Sequence, residues 1–126
     1  MDATLLPFFW PVGAGTEPPG PPPDGLEVLG HDGTAYLVVQ ADGKVRSIDP
    51  SSPLGTRFVN STAGQFAASL VALAARQAEL QRSGSGEALL AVSSLRHDLN
   101  HADIKALGDR TNWWAVVLDR MEDALP

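Results

Sequence analysis

Three histidines, His31, His97 and His101, are the residues of this 126-residue chain whose type best suits metal or acid–base chemistry. His97 and His101 are four apart, the spacing that puts two imidazoles on one helix face, as in a zinc site. Asp98 and Asp103 lie near enough in the sequence to offer a third ligand. Asn100, however, stands between the histidines at an expected helix break. No glutamate lies between them, so the metalloprotease pattern is absent. The pair therefore reads as two partly exposed histidines at a helix junction, with no metal and no cofactor expected. His31 lies in a Gly-rich turn, where a surface role is expected.

Other chemistries fail on spacing. Gly30-His31-Asp32-Gly33 lacks the glycine spacing and the Lys-Ser/Thr ending with which a P-loop cradles phosphate. No serine occupies the Gly-x-Ser-x-Gly turn of a nucleophile elbow. Glu122 and Asp123 are adjacent and diverge on a helix, as a solvated face would. Asn60-Ser61-Thr62 matches a glycosylation acceptor, but helix capping explains it better. The chain has no cysteine, which removes thiol catalysis, thiolate metal sites and disulfides together. No catalytic residue is expected, and the protein reads as a non-enzyme.

The elements that would position these residues follow from patterning. Residues 7–25 hold seven of the ten prolines and form an extended arm, since proline fixes φ and donates no hydrogen bond. Within it, Phe8, Phe9 and Trp10 need to dock, on their own domain or on another chain, because burial of each is worth about 1.5–3 kcal/mol. From Leu26 the runs LEVLGHDG, TAYLVVQ and KVRSID, separated by Gly-rich and Asp42-Gly43 turns, predict two or three antiparallel strands. Arg57 to Asn60 is a candidate for one more. Apolar Phe66, Leu70, Leu73 and Ala74 recur at the helical period, which predicts a helix from about Thr62 to Gln81. Ser83 to Gly86 is linker chemistry. A second helix is expected over Glu87–Asp98 on Leu89, Val92, Leu95 and Leu99, then a helical turn from His101 to Leu107. A last helix, Thr111–Leu125, buries Trp114, Val117, Leu118, Met121 and Leu125. The expected fold class is α+β: a small antiparallel β-meander followed by three to four helices packed on one face. The arm takes residues 1–25 and a single domain residues 26–126.

At 13.3 kDa, with 44% hydrophobic and 19% charged residues, the chain fits one domain with a real core. Its 9 basic and 15 acidic residues give a formal charge of −6. The basic residues are dispersed, which argues against nucleic acid or an anionic membrane as partner. An acidic chain is better matched to a basic protein. No apolar run approaches a membrane span, and no basic segment marks a secretory signal, so a cytoplasmic location is expected. If an acidic patch binds the partner, its residues are Glu27, Asp32, Asp42 and Asp49, around the strand turns.

Taken in order, these segments resemble the SUKH superfamily of bacterial immunity proteins, most closely its fourth subfamily. The resemblance rests on the Gly30-x-Asp32-Gly33 turn, the Asp42-Gly43 turn, and Phe58-Val59-Asn60-Ser61 opening a long helix. It extends to Trp113-Trp114 starting the last helix and Met121-Glu122-Asp123 near its end. It covers about Leu26 to Leu125. It implies a non-catalytic α+β domain that neutralises a toxin by binding it, such toxins often being nucleases or deaminases with basic surfaces. It also implies turns at Gly30, Gly33 and Gly43, and capping by Asn60 and Ser61. Family members usually carry a further helical segment where this chain has its short arm. That difference implies an open edge or face and self-association, with Phe8, Phe9 and Trp10 covering a neighbouring copy. Two further readings stand beside the antidote. One is an accessory or regulatory binding protein of the same fold, and the other a small metal-binding enzyme using His97, His101 and Asp98.

Overall fold

The computed structural model describes residues 9–10, 18, 20–21, 23, 25–80 and 86–123. Four strands, β1 (Glu27–His31), β2 (Tyr36–Val39), β3 (Val45–Asp49) and β4 (Ser52–Asn60), precede three helices. These are α1 (Ala63–Leu80), α2 (Gly86–Ala102) and α3 (Trp113–Asp123). The strands form one antiparallel sheet in the order β1-β2-β3-β4. The architecture is the expected α+β, and the candidate strand at Arg57–Asn60 is the second half of β4. Strand β4 begins well before Arg57, despite Pro53 and Gly55 in its first half. As an edge strand it tolerates a residue without an N–H, which a central strand would not.

Alternation along β2 explains how both faces of the sheet are covered. Leu37 belongs to the core cluster with Val45, Val59, Phe66, Leu73, Leu95, Trp114 and Leu118. Tyr36 and Val38 are 3% and 0% exposed and point the other way, because successive strand residues face opposite sides. On that second face the Tyr36 hydroxyl donates to the Gly20 carbonyl at 3.1 Å.

Trp10 also pairs with the end of the β1 edge. Trp10 and His31 exchange backbone hydrogen bonds, both 2.9 Å. Phe9 then enters the helix-side core, edge-on to Phe66 at 5.4 Å. Trp10 stacks on His31 at 5.7 Å. His31 is fully buried rather than a surface turn residue, and its Nδ1 accepts the Gly33 N–H at 3.0 Å. Gly30 lies inside β1, not in a turn. A Cβ there would stand 2.4 Å from the Trp10 carbonyl oxygen and 2.5 Å from the Phe9 ring. Phe8 lies outside the described residues.

The start of α1 is as predicted, while the bounds of α2 and α3 differ. Thr62 caps α1, its Oγ1 accepting the Gln65 N–H at 3.1 Å, while Asn60 and Ser61 bond elsewhere. Helix α2 runs unbroken through Asn100, whose exposed side chain competes little with the helix from the solvent face. It ends only before Asp103, which accepts the Lys105 N–H at 3.1 Å, and residues 104–107 are turns rather than helix. The buried register of α2 is Ala88, Ala91, Val92, Leu95 and Leu99, leaving Leu89 56% exposed. Helix α3 starts at Trp113, after a turn in which Asp109 accepts both the Thr111 N–H and hydroxyl. Leu125 is outside the described residues.

Candidate partner-binding site

A buried polar hub fixes the geometry of the helix layer against the sheet. Asn60, at the end of β4, is fully buried. Its amide donates to Asp103 Oδ2 at 3.1 Å and to Ser69 Oγ of α1 at 3.2 Å. Its Oδ1 accepts the Trp114 indole N–H of α3 at 2.9 Å. Asp103 also accepts the Ser61 N–H at 2.7 Å and the Ser61 hydroxyl at 3.0 Å. One asparagine thus ties β4, α1, α3 and the end of α2 together, and among the described residues every buried side-chain polar atom is paired. A network satisfied in this way specifies one arrangement of its elements.

A second link holds α3 to the β1–β2 turn and shapes a cleft beside it. Asp32 Oδ1 accepts the N–H groups of Thr34 and Ala35 at 2.9 and 2.7 Å. Its Oδ2 accepts the Trp113 indole N–H at 2.8 Å. Between this turn, the β3–β4 end of the sheet and α3 lies a cleft of about 230 Å³. Ser47, Trp113 and Val117 form its buried floor, and Asp32, Asp49, Arg57 and Arg120 stand around it. Arg57 is positioned by a 2.7 Å hydrogen bond from its Nη1 to the Thr111 carbonyl. The cleft is smaller than the roughly 300–1,000 Å³ that houses a small organic ligand.

The four carboxylates read from the sequence fall into two pairs. In the meander, Glu27 and the Asp42 turn share one end of the sheet, while Asp32 and Asp49 share the other and line the cleft. Asp42 accepts the Lys44 N–H at 3.0 Å and pairs with Arg46 at 3.0 Å. These contacts, the backbone one foremost, hold its carboxyl below the ordinary aspartate value of 3.8. Asp49 is lowered likewise, chiefly by the Ser51 hydroxyl at 2.7 Å and then by the Ser51 N–H at 2.9 Å. Phe9 and Trp10 pack on their own domain, as described above.

The histidine pair shares one face of a continuous helix, since the break expected at Asn100 does not occur. Both side chains are exposed. Neither aspartate joins them, because Asp98 bonds Arg76 at 3.3 Å and Asp103 belongs to the hub. Among the described residues there is no group of three or more His, Cys, Asp or Glu side chains that could hold a metal ion. No helix among them is long and apolar enough to cross a membrane.

Sequence reading missed the hub, and it missed that Arg57 and Arg120 line one cleft. The partners are far apart in the chain and none carries a local signal. Comparison with known proteins adds the family. A model of the SUKH-4 immunity protein family matches residues 8–120, so the chain belongs to that family. No curated protein and no solved structure matches it.

Proposed function

We propose that this member of the SUKH-4 immunity protein family binds a protein toxin and neutralises it by occlusion, without catalysis or cofactor. The family match over residues 8–120 carries the reading. The charge supports a basic toxin domain as partner: complementary fields speed association and reject like-charged proteins. Glu27 and Asp42 at one end of the sheet, with Asp32 and Asp49 at the other, are the acidic residues proposed to face it. A standard interface covers about 800 Å² on each partner, roughly an eighth of the 6808 Å² that this chain exposes. With Phe9 and Trp10 engaged in their own chain, a toxin partner is favoured over exchange of the arm between copies.

Affinity capture with the tagged chain from its host lysate, beside light scattering on the purified protein, tests this. The expected result is a monomer that retains one stoichiometric basic protein whose toxicity it abolishes. A self-assembled particle that retains no toxin would contradict it.

A further inference from the structure

The cleft between the sheet and α3 contains two arginines whose donors remain open to a ligand. Among the described residues, Arg46, Arg76 and Arg96 are held in ion pairs with Asp42, with Asp98 and Glu79, and with Glu122. Arg57 and Arg120 form none, although Asp32 and Asp49 line the same cleft. Both carboxylates accept other donors. Asp32 takes two backbone N–H groups and the Trp113 indole. Asp49 takes the N–H and hydroxyl of Ser51. A guanidinium carries five N–H donors, and Arg57 uses one of them on Thr111.

We infer that this cleft is the docking point for a carboxylate-bearing side chain of the partner, held between Arg57 and Arg120. The inference rests on the proposed function, because a protein partner supplies the carboxylate. A carboxylate offers two oxygens and about four acceptor sites, which match guanidinium forks. The hydrogen bond to Thr111 presets Arg57, so less freedom is lost on binding. The volume of about 230 Å³ accommodates a side chain and excludes a bulky organic ligand. On a chain of net charge −6, the two arginines offset the two aspartates of this cleft, so the site lacks the prevailing negative charge. A basic partner drawn in by the surrounding acidity would therefore be set in register by one acidic residue of its own.

The test is a titration of the ¹⁵N-labelled protein with N-acetyl-glutamate, read at the Trp113 indole N–H. N-acetyl-lysine methylamide and inorganic phosphate serve as parallel probes. The glutamate analogue should shift the indole signal saturably in the millimolar range, and the lysine analogue should not. Arg57→Gln and Arg120→Gln should each raise the midpoint about threefold, and the double variant about tenfold. Should Arg57→Gln unfold through loss of its Thr111 bond, Arg120→Gln decides alone. Response to the lysine analogue only, to phosphate only or to no probe would overturn the inference, as would midpoints unmoved by the variants. The two readings fail separately. A wild-type chain that neutralises no toxin overturns the function whatever the titration gives. A double variant that holds its toxin at wild-type affinity overturns the cleft alone.

Discussion

Asn60 bonds side chains from three other parts of the fold, so its removal is felt well beyond β4. Asn60→Ala leaves the buried Trp114 N–H without its acceptor and removes a donor from Asp103. Unfolding by urea should show a loss of about 2–4 kcal/mol with an unchanged m value, since unsatisfied buried groups cost roughly 1–3 kcal/mol each. An unchanged midpoint would mean that the hub contributes nothing to stability. Asp32→Ala is a milder change, because its bonds to Thr34, Ala35 and Trp113 are exposed or only part-buried, and about 1–2 kcal/mol is expected from the lost charge-assisted bonds. The role of Asn60 was not legible in sequence. Asn-Ser-Thr before an apolar periodic run has capping chemistry, and the neighbouring Thr62 does the capping. What makes Asn60 a hub is Asp103, 43 residues away, and Trp114, 54 away. Asp32 and Asp49 were legible as turn carboxylates, but the cleft between them was not. It needs Arg57 and Arg120 from separate elements.

The long helix α1, the last helix and the strand runs of the meander follow directly from periodicity and turn chemistry. The arm is the element that a pattern could not place. Its prolines forbid helix and central strand, yet they do not show that Phe9 enters the core or that Trp10 pairs with β1. Gly30 is the counterpart of that docking and reads in sequence as an ordinary turn glycine. Gly30→Ala puts a methyl group against the Trp10 carbonyl and the Phe9 ring. It should displace the arm, red-shift tryptophan emission and lower stability by about 1–3 kcal/mol, as overpacking does. Emission and stability equal to wild type would show that the arm does not dock there. The β3–β4 turn carries a pH signature. The folded Asp49 carboxyl lies below its ordinary value of 3.8, so its stabilisation is present above that value. It is lost as pH falls through the lowered one. The melting-temperature gap between wild type and Asp49→Ala should therefore narrow from about pH 5 to about pH 3. A gap that widened toward acid would reverse the assigned sign.

At the scale of the whole molecule, the sheet and helices form a scaffold whose strand turns present acidic groups at both ends. Net charge of −6 acts on encounter more than on residence. Association with a basic toxin should slow as salt rises from about 0.05 to about 0.5 M, with dissociation changed far less. The function itself is tested most directly by protection in cells. The captured partner is expressed in a heterologous bacterium with and without this chain, and growth is followed. The partner alone should arrest growth, and co-expression of this chain should restore it. A partner that is harmless alone, or one whose toxicity persists beside this chain, would contradict the assignment.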